Sequence, residues 1–233
     1  MKIKKKAVVL LSGGLDSTVN LYEADQVFDV VQVLTLDYGQ KAAIKELQTS
    51  KYFTDKLNLN WKSLDLRWLS DISDSSLTGY NSKSSDKTTN ELSASEKKIP
   101  EGKDVDIESF AKSVESAKSV WVPNRNGLFL NIAGVFADSL NADYIIPGFN
   151  KEEAETFPDN SKAFIEASTN AFKYSTRNKA EVFCFTTEMN KIEIVKRAKE
   201  LKVEISKLWP CYHDSEHWCG RCESCLRFQR ACN

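Results

Sequence analysis

Residues 7–18, AVVLLSGGLDST, decide how the rest of the chain is read. Ala7 to Leu11 is a short run of aliphatic and β-branched residues, long enough for one buried strand. Val19 to Ala24 reads as the start of a helix. Between them lies a Ser/Gly-rich turn made of Leu11, Ser12, Gly13, Gly14, Leu15, Asp16, Ser17 and Thr18. Glycines at 13 and 14 let the backbone take positive φ and approach a ligand closely. N–H groups at the head of a helix, with its positive end, make an anion site. Ser12, Ser17 and Thr18 add hydroxyls to it. Asp16 brings an acid into that loop, which suits a bound cation or a contact at the helix start. The string is not the nucleotide loop ending in Gly-Lys-Ser/Thr, because no lysine follows the glycines. Nor is it the Gly-x-Gly-x-x-Gly fingerprint.

Further along, Val27 to Leu36 (VFDVVQVLTL) is a second strand, ending at Asp37-Tyr38-Gly39-Gln40. Lys41 to Leu57 reads as helix and Asn60 to Leu66 as a third strand. Strand–helix alternation at this spacing implies a parallel sheet with helical crossovers. Ligands then bind beyond the carboxyl ends of the strands, where SGGLDST and DYGQ both fall. Asp37 reads equally as a contact to a ribose or metal-bound water and as a turn cap. Residues 70–119 are rich in Ser, Thr, Asn and Lys without a clear period, and read as a mobile insertion with flanks that order over a substrate. Trp121 to Asn126 (WVPNRN) marks the return to the core. The helix predicted over Gly127 to Leu140 is apolar on nearly every side and is expected to be buried. Arg125 just before it suits a phosphate or carboxylate, or a plain salt bridge.

Asp143 to Pro147 is a short strand, and Gly148-Phe149-Asn150 turns on the ligand side. Lys151 to Asn160 is an acidic loop, in which Phe157 and Asp159 are suited to a planar heterocycle or simply to solvent. Ser161 to Ser175 is helical, with Phe164, Ala167, Ala171 and Phe172 near one face. Val182 to Phe185 is the last strand. Over Asn190 to Leu201 an amphipathic helix is expected, with Ile192, Val195, Ala198 and Leu201 on one face and Asn190 and Glu193 forming a capping box.

At 233 residues the chain is one large domain with a small appendage, divided here at 205/206. A net charge of −1 gives no electrostatic case for nucleic acid or an anionic membrane. The apolar stretch behind Lys2 and Lys4 to Lys6 is too short for a signal peptide or a membrane span, so a cytoplasmic protein is expected. Cys211, Cys219, Cys222 and Cys225 offer four thiolates within 15 residues. That set suits a closed structural zinc site. An iron–sulfur cluster is the rival, but its usual fourth spacing and proline are absent. His213 and His217 read as bystanders or substrate-side groups, Cys184 as a buried strand residue, and Cys232 has no assigned role.

SGGLDST resembles the pyrophosphate loop of the PP-loop superfamily of ATP pyrophosphatases. DYGQ, VPNRN, GFNKEEAETFPDNSKAFIEA and the tail C-x7-CGRCESC followed by Leu226-Arg227 narrow this further. From about Lys6 to Phe228, apart from 70–119, the chain is similar to the 7-cyano-7-deazaguanine synthase (QueC) family. The resemblance implies an α/β fold of PP-loop, Rossmann-like type: a parallel sheet with helices on both faces and a small zinc-binding tail. It implies an ATP-dependent ligase that converts 7-carboxy-7-deazaguanine and ammonia to the nitrile through adenylate and amide intermediates. ATP, Mg²⁺ and Zn²⁺ are the expected cofactors, and a homodimer the expected assembly. Carried over residue by residue, 11–18 with Asp37, Tyr38 and Gly39 hold ATP. Asn124, Arg125, Asn126, Phe157 and Asp159 meet the substrate, and Asp16, Arg125 and Lys162 take catalytic roles, Asp16 toward magnesium and pyrophosphate. Lys41-Ala42-Ala43 after DYGQ and Asn160-Ser161 after Asp159 depart from the family's usual residues. Two alternatives share the loop: a paralogue that joins the activated carboxylate to another amine, for example in a defence system, and a tRNA-sulfur transferase. The latter needs a reactive cysteine and a basic RNA-binding surface. A non-enzymatic zinc protein that binds nucleotides or nucleic acid needs a stronger basic patch than Arg221, Arg227 and Arg230 provide.

Overall fold

A computed structural model describes residues 4–79 and 97–233. The chain starts with β1 (Lys6–Leu10), α1 (Leu15–Val27), β2 (Asp29–Asp37), α2 (Ala43–Lys56) and β3 (Trp61–Asp65). A single turn, α3 (Trp68–Asp71), is followed by α4 (Phe110–Val120), α5 (Arg125–Leu140) and β4 (Tyr144–Ile146). The rest comprises α6 (Lys151–Ala154), α7 (Lys162–Ser175), β5 (Glu181–Val182), α8 (Lys191–Glu200) and α9 (Glu223–Cys232). The five strands pair in the order β3-β2-β1-β4-β5, all parallel.

The central strand explains the layering. Ala7, Val8 and Val9 of β1 are fully buried, so the run has no polar alternation. Successive side chains still point to opposite faces. Ala7 and Val9 join a core with Val19 and Leu21 of α1, Phe53 of α2, Ile194 and Val195 of α8, and Phe228 of α9. Val8 joins the other core, with Leu130, Ala133 and Ala137 of α5 and Phe172 of α7. Helices therefore cover both faces, as expected, and the C-terminal helix contributes Phe228 and Ala231 to the first core. Among the described residues no helix is long and apolar enough to cross a membrane.

Five local expectations need correction. Residues 70–119 are not all loop, because α4 occupies Phe110–Val120 with Ser109 as its N-cap. Its buried residues are Ser113, Ser116, Ala117 and Val120, so small and polar side chains carried the helical period. Residues 80–96, the centre of the expected insertion, lie outside the described residues. The acidic loop 151–160 is likewise wound into α6 and a 3₁₀ turn at Pro158–Asn160. Helix α5 is buried on one side only, with Val135 69% exposed, because the sheet covers the stripe of Leu130, Ala133 and Ala137. In α8, Ile192 is exposed and the inward stripe is Lys191, Ile194, Val195 and Ala198. The capping box of Asn190 and Glu193 is present. The last strand is shorter than 182–185: Phe183 and Phe185 leave it to form an aromatic cluster with Phe28 and Tyr144.

The turn after β4 is built against the loop after β1. A Cβ on Gly148 would sit 2.6 Å from the backbone nitrogen and Cα of Ser17. Backbone cannot yield as a flexible side chain can. Gly148→Ala is therefore expected to push the 11–18 loop out of place and to cost about 2 kcal/mol, in the range of core overpacking. Thermal denaturation of the variant checks this, and an unchanged melting temperature would contradict it.

Candidate active site

The carboxyl ends of β1, β2 and β4 open on a cavity of about 250 Å³. Its floor is the 11–18 loop. Gly13 has φ +76°, and a Cβ there would meet Thr49 of α2 at 2.7 Å, so the loop is wedged against that helix as only glycine permits. Ser17 Oγ accepts the Ser12 N–H at 3.2 Å and lies 3.1 Å from Ser12 Oγ. It donates to the Gly14 carbonyl at 3.3 Å. Gly14 precedes α1 without a side-chain cap, which leaves the first-turn N–H groups at the cavity floor. Leu11, Ser12, Gly14, Leu15, Asp16 and Ser17 all line the cavity. Thr18 is fully buried behind them, and its hydroxyl has no hydrogen-bond partner among the described residues.

Asp16 and Lys191 form a buried ion pair that the half-buried Glu153 joins. Lys191 Nζ lies 2.5 Å from Asp16 Oδ2 and 2.8 Å from Glu153 Oε1. Asn150 donates to the same Asp16 oxygen at 3.3 Å. Burial works against the Lys191 ammonium, but the two carboxylates hold its pKa above the ordinary lysine range. Burial pushes the Asp16 carboxyl up to about 6, against the pull of Lys191. Asp16 Oδ1 is buried and makes no hydrogen bond, an orphaned acceptor that fits a metal ion or its bound water. Two carboxylates against one ammonium leave the triad with a net negative charge.

The second wall carries Arg125. Its Nη1 donates to the Tyr38 hydroxyl at 3.1 Å, and its guanidinium lies 5.5 Å from the centre of that ring. Burial pushes the Tyr38 phenol up, against the pull of Arg125, so it stays a neutral hydroxyl. Asn126 lines the cavity and donates to the Asp159 carbonyl at 3.4 Å. Phe157 also lines it and stands parallel to Trp121, with ring centres 6.2 Å apart. Gln40 accepts the Tyr38 N–H at 2.8 Å and donates to Glu46 Oε2 at 2.9 Å.

Not every expected residue reaches the cavity. Asp37 lies off it, its Oδ1 accepting the Gly39 N–H at 3.0 Å in the turn-cap reading. Gly39 supplies a φ of +80° to that turn. Asn124 caps α5 with a φ of 49°. Asp159 stands behind Arg125, with a pKa raised by burial against the pull of that guanidinium. Lys162 is exposed at the head of α7, away from the cavity lining.

The third wall is the C-terminal tail. Trp209 donates its N–H to the Gly13 carbonyl at 3.0 Å, and Trp209, Pro210, Cys211 and Tyr212 line the cavity. Behind them the sulfurs of Cys211, Cys219, Cys222 and Cys225 lie within 4.8 Å of one another, none in a disulfide. N–H groups of His213 and Cys219 point at Cys211 Sγ at 3.4 Å. Those of Arg221 and Cys222 point at Cys219 Sγ at 3.4 and 3.3 Å. Donors aimed at sulfur stabilise thiolates, so the set fits a tetrahedral thiolate-bound metal such as zinc. Helix α9 is clamped beside it. Arg227 reaches Glu152 at 3.1 Å and Glu223 at 2.8 Å, and Arg230 reaches Glu152 at 2.5 Å. Both guanidiniums are engaged within the fold.

Lys191, Glu153, Glu46, Trp209 and Tyr212 escaped the sequence reading. For Lys191 a signal existed: it stands three, four and seven positions before Ile194, Val195 and Ala198, on the inward stripe. For Trp209 and Tyr212 there was none, since nothing local shows that the tail crosses the 11–18 loop.

The family model described as queuosine biosynthesis protein QueC matches residues 6–233. A 7-cyano-7-deazaguanine synthase of Bdellovibrio bacteriovorus is 48% identical over 232 residues, covering 99% of this chain and 94% of that one. One from Carboxydothermus hydrogenoformans is 45% identical, covering 97% of this chain and 98% of that one. In three dimensions the chain is similar to a 4-thiouridine synthetase solved with RNA and bound ATP, with a TM-score of 0.50 at 18% identity, covering 97% of this chain and 50% of that one. That likeness is one of fold. With a match over nearly its whole length, the chain belongs to the QueC family of queuosine biosynthesis proteins.

Proposed function

We propose that this protein is an ATP-dependent ligase that makes 7-cyano-7-deazaguanine from 7-carboxy-7-deazaguanine and ammonia. The observation that carries the reading is one cavity holding the 11–18 loop, Asp16 with its unpartnered oxygen, Arg125 and Phe157, in a chain of this family. A carboxylate oxygen is a poor leaving group and must be activated. It attacks the α-phosphorus of ATP, the bond to the bridging oxygen breaks, and pyrophosphate leaves from an acyl-adenylate. Ammonia then displaces AMP to give the amide. The amide oxygen is activated in the same way and lost with AMP, giving the nitrile.

The residues divide this work by chemistry. Loop N–H groups with Ser12 and Ser17 receive the pyrophosphate. Asp16 would hold magnesium, which when bound neutralises phosphate charge. Arg125 holds the substrate carboxylate and then the oxyanion that develops on the acyl carbon. Phe157 stacks on the heterocycle, supported by Trp121. Cys211, Cys219, Cys222 and Cys225 would hold zinc, which when bound cross-links the tail. The cytoplasm and a homodimer, checked by light scattering, complete the proposal.

Arg125→Ala is expected to lower kcat/KM for the deazaguanine acid about 100-fold, the usual loss of an oxyanion donor, while the KM for ATP changes little. Lysine at 125 does not restore it, because a point charge lacks the planar fork. AMP release at varied acid concentration reads both quantities. The proposed function itself requires AMP release that depends on the acid, and release without it would contradict the reading.

A further inference from the structure

Three carboxylates line the cavity: Asp16, Glu46 and Glu153. Two of them share Lys191. Glu46 has no ion-pair partner among the described residues. Its one side-chain hydrogen bond among the described residues comes from a neutral amide, Gln40 Nε2 to Oε2 at 2.9 Å, and Gln40 is itself fixed by the Tyr38 N–H and the Leu36 carbonyl. Oε1 therefore remains as an acceptor on a side chain of fixed position. The groups facing it are Arg125 of α5, Asp37 at the end of β2 and Gln40 in the following turn. Among the described residues Arg125 is one of two cationic side chains lining the cavity, and the other, Lys191, is taken up by the triad. Glu46 thus stands near Arg125, the guanidinium proposed to hold the substrate carboxylate.

We infer that Glu46 is the proton acceptor of the amination and dehydration steps. The inference rests on the synthase reading above. In the first step the nitrogen lone pair of ammonia forms the C–N bond. The C–O bond to AMP breaks with its electron pair, and the extra proton on nitrogen passes to the Glu46 carboxylate. In the second, the activated amide loses AMP with its oxygen, and its two N–H protons leave in turn as the triple bond forms, one to water and the other to Glu46. Water takes the proton from Glu46 between steps. Adenylation of the acid involves no proton on nitrogen, so that half-reaction does not need this group. Burial pushes Glu46 up to about 7, with Arg125 and the Gln40 hydrogen bond pulling the other way, which suits a base working near neutrality.

The test separates the half-reactions of the full-length protein. Glu46→Gln keeps the shape and can still accept the Gln40 bond. Acid-dependent exchange of pyrophosphate into ATP, run without ammonium, is expected within about twofold of wild type. Amide and nitrile formation with ammonium is expected to fall about 100-fold or more, the usual contribution of a positioned base. A second measurement uses wild type alone: the rate of amide formation per unit of free ammonia is expected to rise with pH up to about 7 and then level off. Equal loss of exchange and product, undiminished product, or a profile with no bend would each overturn the assignment. If wild type exchanges nothing with the deazaguanine acid, the synthase reading falls, and Glu46 with it. If wild type turns over and only the variant fails to differ, Glu46 alone is wrong.

Discussion

Lys191→Met is expected to cost about 3–5 kcal/mol of stability, the range for removing one partner of a buried ion pair, and to reduce acid-dependent AMP formation at least about 100-fold. The lysine side chain is 8% exposed and sits between Asp16 and Glu153 at 2.5 and 2.8 Å. Without it, two carboxylates face each other with Asp16 largely shielded from water, and one of them takes up a proton more readily. Asp16, already raised by burial to about 6, then rises further and no longer offers an ionised oxygen at neutral pH. Adding Glu153→Gln removes the repulsion and is expected to return much of the stability but little of the activity. Denaturant unfolding and AMP release measure the two effects. A variant within about 1 kcal/mol of wild type would mean the triad is worth no more than a surface pair. The same chemistry fixes a pH dependence. Asp16 must be ionised to hold a cation, so ATP use is expected to decline as pH falls through about 6.

Cys222→Ser is expected to abolish zinc retention and to cut activity about tenfold or more, although Cys222 does not line the cavity. Cys222 is fully buried at the start of α9. The tail it anchors includes Cys211, directly after the Trp209 and Pro210 that cross the 11–18 loop. Loosening the thiolate set frees the Trp209 bond to the Gly13 carbonyl and opens one wall of the cavity. In isolated zinc fingers the metal supplies on the order of 10 kcal/mol of folding free energy. Here the loss is smaller, because Phe228 stays in the core and Arg227 keeps Glu152 and Glu223. A fall in melting temperature of several degrees with α9 still docked is the expected pattern. Cys184→Ser and Cys232→Ser leave zinc content unchanged. Metal analysis beside thermal melts and AMP release checks the set, and full activity in zinc-free protein would contradict the structural role.

The contrast between these two variants shows what the sequence could and could not disclose. The strand, glycine loop and helix at 7–27 were legible because local chemistry decides them: a continuous apolar run, two glycines and a helix start. The four cysteines were legible because thiolate spacing is itself the signal. Lys191 was harder, since a charged residue on an inward stripe looks like an error in the pattern until its carboxylate partners are known. Helix α4 hid because serines carried its period. Glu46 and Trp209 depend on contacts between segments distant in sequence, and no local rule places them. Lys162 illustrates the reverse: a plausible cation beside a substrate loop, which the fold turns toward solvent.

Mass spectrometry of the products from purified protein with 7-carboxy-7-deazaguanine, Mg-ATP and ammonium reads the proposed reaction itself. The nitrile, formed through the amide with release of AMP, is the expected product. Deazaguanine acid left unchanged after ATP and ammonium are supplied would contradict it.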